Sequence, residues 1–409
     1  MLTTTLLALF TLACGLLAGH GWRDFGQRPP KEAFAASANW RRGRFRNTNP
    51  LRNYMFRAMV DSLRAPRDRE PRQPVPVFNN DGTTYRTHPA GGLRLTWLGH
   101  STLLLEIAGK RLLVDPLWGP RASPFSWMGP KRWYENPLAL ADLPEIDAVL
   151  VSHDHYDHLC RYTVDALKPT GCRFIVPLGV GSHLRYWGVA ADNIVELDWW
   201  QAHALGDVTI TATPARHASG RHLFDMDQTL WAGFAVTSPD HRLFYSGDSG
   251  LFDGFREIGD RLGPFDITMI ESGAYSRNWP DWHMGPEQAV IAHEWLRGRQ
   301  LLPLHWGLFN LSLHNWTEPM ERVLAAASER NVHVLTPQPG QPFSPGDALT
   351  RWWPDVAFRP AASAPVMSKQ VDTLTDGDRK LILGQGDPED DTGTPALQDT
   401  LADNRETTT

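Results

Sequence analysis

The densest chemistry in this chain is six residues long: His153-Asp154-His155-Tyr156-Asp157-His158. The pattern His-x-His-x-Asp-His offers four metal donors, and neutral imidazole with carboxylate is the donor type Zn²⁺ takes, at roughly 2.0–2.2 Å. An apolar run from Ile146 to Ser152 leads straight into the cluster, so the donors leave a buried strand on a loop. In an extended loop His153 and His155 point the same way. Asp157 and His158 then turn toward a second ion, roughly 3.5–4 Å from the first. A solvated His-rich loop without function is the plain alternative, and four donors at a strand end weigh against it.

Two ions need more donors than one loop holds, and each must arrive from another strand end. His217 closes Pro214-Ala215-Arg216-His217 after the strand-like run Val208–Thr213. Asp248 lies in Ser246-Gly247-Asp248-Ser249-Gly250 after Leu243-Phe244-Tyr245, and His305 follows Leu301-Leu302-Pro303-Leu304. A single strand-terminal histidine is more often structural. Three such residues, in this order behind the first cluster, read as ligands. Imidazole and carboxylate donors suit zinc without excluding iron or manganese.

The elements that must position these residues are visible as hydrophobic pattern. Leu93–Leu98 alternates, and Ser101–Ile107 and Arg111–Val114 form a hairpin around Gly109-Lys110. Further short strands are predicted at Phe174–Pro177, Asn193–Leu197, Val208–Thr213, Asp266–Ile270 and Leu301–Leu304. Leu230–Thr237 and Arg242–Tyr245 pair across Ser238-Pro239-Asp240. Pro286–Arg297 reads as a helix, with proline in its first turn and Gly298 past its end. Strands interleaved with helices predict an α/β fold, a two-layer sheet core covered by helices. Residues 91–355 form this domain.

The flanks differ in composition. Residues 1–20 are apolar with no charge before Arg23, which reads as a signal peptide or membrane anchor, although basic residues ahead of the apolar stretch are missing. An exported or membrane-associated protein is the expectation. Residues 21–90 are a basic, Pro- and Asn-rich extension. Within it Pro50–Arg64 predicts a helix with Leu51, Tyr54, Met55, Met59 and Leu63 on one side, flanked by Arg52, Arg57 and Arg64. Such a helix rests on anionic lipid or packs on the domain. Residues 356–409 form an acidic tail expected to lack structure.

The strings around the donors carry a resemblance. Trp97-Leu98-Gly99-His100-Ser101-Thr102, Asp115-Pro116, Gly129-Pro130-Lys131-Arg132 and Ser152–Leu159 are joined by Thr229-Leu230-Trp231-Ala232-Gly233 and Gly247-Asp248-Ser249-Gly250. Gly273-Ala274-Tyr275, His283-Met284-Gly285-Pro286-Glu287-Gln288-Ala289 and His305-Trp306-Gly307 complete them. Together they resemble the metallo-β-lactamase superfamily, and within it the branch of the N-acyl-phosphatidylethanolamine-hydrolysing phospholipases D. The resemblance implies an αββα four-layer sandwich with two zinc ions. It implies that His153, His155 and His217 hold one ion, that Asp157, His158 and His305 hold the other, and that Asp248 bridges them. It places His283 near the substrate phosphate and Tyr156 on the pocket wall. Ala218-Ser219 after His217 departs from the family's aromatic and polar pair.

Other residues carry open readings. Asp115 either assists the metals or orients a ligand imidazole. His100 is functional or a hydrogen-bonded structural residue, and Glu271 at a strand end is open in the same way. His293 and His314 read as packing or surface residues. Trp118, Trp127, Trp133, Trp199, Trp200, Trp279 and Trp282 line an acyl-chain groove or belong to the core.

The implied activity is metal-dependent hydrolysis, foremost of a phosphodiester in an N-acyl phosphatidylethanolamine-like lipid, by metal-activated water with His283 on phosphate or leaving group. The alternative is a lactonase or ester hydrolase on the same residues. The expected partners are a phospholipid or other anionic small molecule and a membrane surface. A net charge of -6 gives no reason to expect nucleic acid. Cys14, Cys160 and Cys172 form no Cys-x-x-Cys pair, which argues against thiolate zinc modules. Cys160 and Cys172 are two buried thiols, or a pair in an oxidising compartment.

Overall fold

The computed structural model describes residues 22–222, 224–368 and 371–384. The apolar segment at residues 1–20, read as a signal or anchor, lies outside them, as do Cys14 and the last part of the acidic tail, 385–409. No helix among the described residues is long and apolar enough to cross a membrane.

Helix α1 (Met55–Ser62) belongs to the N-terminal extension and precedes two seven-stranded sheets. In the first sheet β1 (Leu93–Gly99), β2 (Thr102–Ile107) and β3 (Lys110–Val114) are antiparallel. To them β4 (Ala148–Leu150), β5 (Arg173–Pro177) and β6 (Ile194–Leu197) add in parallel. The second sheet repeats this plan. Strands β7 (Ala202–Leu205), β8 (Val208–Thr213), β9 (Gly233–Thr237) and β10 (Arg242–Tyr245) are antiparallel. Next β11 (Phe265–Glu271), β12 (Gly298–Leu304) and β13 (His333–Val334) continue in parallel. Strand β14 (Pro342–Phe343) returns to pair with β1.

Alternate residues of each strand fill the space between the sheets. Leu93, Leu95, Trp97, Leu103 and Leu105 meet Ile210, Phe234, Val236, Ile267 and Leu302 in one buried cluster. Many of the remaining strand residues, such as Leu104, Val149, Phe244 and Leu301, are apolar too, because each sheet is covered on its outer face. Leu104, Val149 and Phe174 pack beneath α2 (Arg161–Leu167) and α3 (Gly181–Tyr186) through Val164, Leu167 and Leu184. Phe244, Ile270 and Leu301 pack beneath α4 (Gly254–Leu262), α5 (Pro286–Trp295) and α6 (Glu318–Arg330). The layering is helix, sheet, sheet, helix, the αββα sandwich.

Two expectations need correction. The tail is not unstructured from residue 356, since α7 (Asp376–Leu383) buries Leu381 and Ile382 in the outer cluster, beside Val371 and Leu374. The acids that suggested solvation make its start: Thr375 accepts from Asp378 N at 3.1 Å, and Asp378 accepts from Thr375 N at 3.0 Å. Helix α1 is also shorter than the predicted Pro50–Arg64. Arg52 N donates to Asp281 and Tyr54 N to Asn278 O, so the chain there bonds to the domain and not to a helical turn. Elsewhere the extension wraps the domain, with Phe34 and Phe45 packed on Leu230 and Trp231.

Candidate metal centre

The seven expected donors emerge at the carboxyl ends of four strands. His153, His155, Asp157 and His158 follow β4, His217 follows β8, Asp248 follows β10 and His305 follows β12. The turns are tight. His305 has φ 67°, and His100 and Asp115, which follow β1 and β3, have φ 53° and 39°. L-residues pay roughly 1–2 kcal/mol for this left-handed conformation, and such strain concentrates at functional sites. Here it is held by pairing of the two turns: His305 N donates to His100 O at 3.0 Å, and His100 N to Trp306 O at 3.2 Å. Gly247, at φ 58°, allows Asp248 its place, since a Cβ there would lie 2.8 Å from Ala232 O and 2.9 Å from Ser152 Cβ.

The donors gather in two sets. His153 Nε2 lies 2.8 Å from His155 Nδ1, and His217 Nε2 lies 3.3 Å from that same atom. In the second set Asp157 Oδ2 is 3.3 Å from His305 Nε2 and 3.5 Å from His158 Nε2. Asp248 stands between them, its Oδ2 3.0 Å from His305, 3.2 Å from His158, 3.8 Å from His217 and 3.9 Å from His153. His100 adds its Nε2 at 3.0 Å from Asp157 and belongs to the second set by distance.

The far sides of the His158 and His217 imidazoles are held by protein. Asp115 accepts from His158 Nδ1 at 2.6 Å, from Ser152 N at 2.7 Å and from Ser152 Oγ at 2.5 Å, and also takes the Tyr245 hydroxyl. It is therefore the carboxylate that orients a ligand, one of the two readings open for it. His217 Nδ1 bonds to Trp282 O at 2.9 Å. Asn47 of the extension clamps the same residue by accepting from His217 N at 3.1 Å and donating to His217 O at 2.6 Å.

The electrostatics suit cations. Burial pushes the His153 and His217 imidazoles well below their ordinary range, which keeps them neutral, as ligands must be. At His158 burial acts the same way, but the carboxylates of Asp248, Asp157 and Asp115 overcome it and push it well above. Against the same burial His305 is pushed up to about 10 by Asp248 and Asp157. This carboxylate-rich half calls for positive charge, which a metal ion supplies as well as a proton does. His158 Nε2, both His305 nitrogens and Asp248 Oδ1 are buried yet make no hydrogen bond among the described residues. Buried polar atoms left this way are costly unless something binds them, so the donors fit a pair of metal ions.

The set opens on a cavity of about 300 Å³ lined by Asn53, His155, Asp157, Asp248, Ala274, Trp279, Trp282, His283, His305 and Leu311. His283 bonds through Nδ1 to buried Glu271 at 2.7 Å, which leaves Nε2 for a bound molecule. This settles the open reading of Glu271, which orients His283 and through its other oxygen takes Ser249 N at 2.6 Å. A strand-end position was the signal in sequence; the partner was not. Tyr156 needs correction, for it is not on the cavity wall. Its hydroxyl donates to Arg221 O at 2.7 Å, and its ring lies 4.0 Å from the Arg221 guanidinium, which draws it away from the donors. Of the tryptophans considered for an acyl groove, Trp279 and Trp282 line the cavity. Trp118 is buried and Trp127 is exposed. Trp199 and Trp200 line a separate cleft, and Trp133 a small hollow that shares His305 and Leu311 with the cavity. His293 and His314 are buried on Thr268 and on the Gly273 carbonyl respectively, as packing residues. Cys160 and Cys172 are buried free thiols.

Comparison with known proteins agrees with this geometry. Residues 110–306 match the family model described as a beta-lactamase superfamily domain. An uncharacterised protein of Mycobacterium tuberculosis is 45% identical over 329 residues, covering 78% of this chain and 87% of its own. N-acyl-phosphatidylethanolamine-hydrolyzing phospholipase D 1 of Caenorhabditis elegans is 36% identical over 262 residues, covering 61% of this chain and 73% of its own. Among solved structures, isothiocyanate hydrolase from Delia radicum gut bacteria aligns with a TM-score of 0.50 at 20% identity. It covers 64% of this chain and all (100%) of its own, a likeness of fold.

Proposed function

Since this chain belongs to the metallo-β-lactamase superfamily, in the branch of the N-acyl-phosphatidylethanolamine-hydrolysing phospholipases D, we propose that it is a dizinc phosphodiesterase of the phospholipase D type. Metal-dependent hydrolysis is the chemistry of the superfamily; the finer claim is the substrate, an N-acyl phosphatidylethanolamine-like lipid. The observation that carries it is the cavity itself, where donors for two ions, a free His283 Nε2 and the apolar faces of Trp279 and Trp282 meet.

His153, His155 and His217 would hold one ion, Asp157, His158 and His305 the other, with Asp248 between them. When bound, the ions make water a nucleophile near neutral pH and draw negative charge to the phosphoryl oxygens. The chain's own residues do the rest. Asp115 and Trp282 O keep His158 and His217 aimed, so the donors need not reorganise as charge develops. Glu271 keeps Nδ1 of His283 occupied. Its Nε2, when protonated, donates to a phosphoryl oxygen or to the alkoxide as the P–O bond to the ethanolamine arm breaks. Trp279 and Trp282 offer an apolar wall for acyl chain while excluding water. The products would be a phosphatidic acid and an N-acylethanolamine.

The test is hydrolysis of N-acyl phosphatidylethanolamine in mixed micelles by zinc-loaded protein, read by mass spectrometry. Release of N-acylethanolamine is expected, and Asp248→Ala should abolish it with the fold retained. Turnover of a simple lactone in place of the lipid and of bis(p-nitrophenyl) phosphate would assign the same residues to ester chemistry instead.

A further inference from the structure

Helix α1 is fastened to the molecule by one side. Ala58 is buried, and Asp61 takes Arg277 at 3.1 Å and Asn278 Nδ2 at 2.9 Å. The opposite side holds Phe56, Met59 and Leu63, spaced i, i+3 and i+7, and 77%, 61% and 86% exposed. Leu51, expected on this stripe, is half-buried, and Phe56, not expected there, joins it. Scattered exposed apolar residues are ordinary, but two large ones on an eight-residue helix, aligned with a third at its C-cap, form a patch. Arginines border it. Arg52 and Arg64 are exposed and Arg57 is half-exposed. Arg64, Arg277 and Arg359 share a cleft of about 290 Å³ beside the helix. The helix also stands next to the metal cavity: the segment it rests on, 276–283, carries Trp279, Trp282 and His283, and Asn53 lines the cavity two residues before the helix begins.

We propose that this face of α1, with its arginine border, docks on the surface of an anionic lipid bilayer and brings the metal cavity to the headgroup layer. An amphipathic helix of this kind buries its apolar stripe at the boundary between headgroups and acyl chains, and basic residues add attraction to anionic lipid. The proposal deepens the phospholipid reading and rests on it for the purpose of docking, while the two fail separately in experiment.

Co-sedimentation of the full chain with phosphatidylcholine vesicles, with and without phosphatidylglycerol, reads docking. Turnover of bis(p-nitrophenyl) phosphate without lipid reads the site. The chain should pellet with phosphatidylglycerol vesicles, less so at high salt and less on phosphatidylcholine alone. Phe56→Ser with Leu63→Ser should weaken that binding by about tenfold or more and leave soluble turnover unchanged. Arg57→Glu with Arg64→Glu should erase the preference for anionic vesicles, roughly fivefold per arginine at low salt. Failure of the wild type to pellet, or apolar variants that bind as the wild type does, overturns the docking. A dimer by light scattering that the apolar variants dissolve also overturns it, making the face a contact between two copies. Vesicle binding without any diester turnover supports docking while it overturns the phosphodiesterase reading.

Discussion

His283 and Glu271 divide one task between a group that touches substrate and a group that aims it. His283→Ala should lower kcat by roughly 10²–10⁴-fold, the usual worth of a positioned acid or base, with metal content by mass spectrometry unchanged. Glu271→Gln keeps an oxygen for Ser249 N but holds the imidazole less firmly; its loss of kcat should be smaller. Asp227 offers a test of a different kind. Burial raises its carboxyl to about 6 from an ordinary 3.8. The folded state thus keeps this proton to higher pH than the unfolded state, so Asp227 costs stability as pH rises from about 4 to 6 and through the range above. The penalty is up to about 3 kcal/mol above pH 6, from two pKa units at roughly 1.4 kcal/mol each. Its backbone is left-handed, φ 59°, which asparagine tolerates well. Asp227→Asn should therefore raise Tm at pH 7.5, and the gain should vanish near pH 4.

Among the elements, those that position the donors were the most legible. The runs at β4 and at the end of β12 are continuously apolar and lead to His153 and His305, while β1 and β8 alternate Leu, Val or Ile with Arg or Thr, and both patterns are signals a sequence carries openly. Helix α6 was not anticipated, because it buries polar groups: Glu318 and Arg322 are inside, with Arg322 Nη2 2.7 Å from Glu287. Edge strand β7 is short and half-exposed, with two alanines that give it little pattern. The orienting groups were harder still. Asp115, Glu271 and Asn47 act across chain separations of 43, 12 and 170 residues, and spacing alone does not pair them. Asn47 ties the extension to a ligand strand end. Asn47→Ala leaves both backbone groups of His217 without their partner, at about 1–3 kcal/mol each when buried. The variant should lose Tm and bind zinc more weakly in a chelator competition.

For the protein in its entirety the proposed ions would be part of stability. Metal analysis should give two per chain. A ligand at a thousandfold excess over its Kd adds about 4 kcal/mol, so dialysis against chelator should lower Tm by several degrees and restored zinc should return it. An unchanged Tm with full metal removal would argue that the donors are aligned without any need of the ions. The arrangement of those donors has one more consequence. The first set takes His153 and His155 from one sheet and His217 from the other; the second takes Asp157 and His158 from one, His305 from the other. Each of the two proposed ions would thus be a rivet through the seam. A fragment ending at Leu197 would inherit four donors aimed at nothing, and exchanging either half for that of a relative would succeed only where both rivet holes still line up.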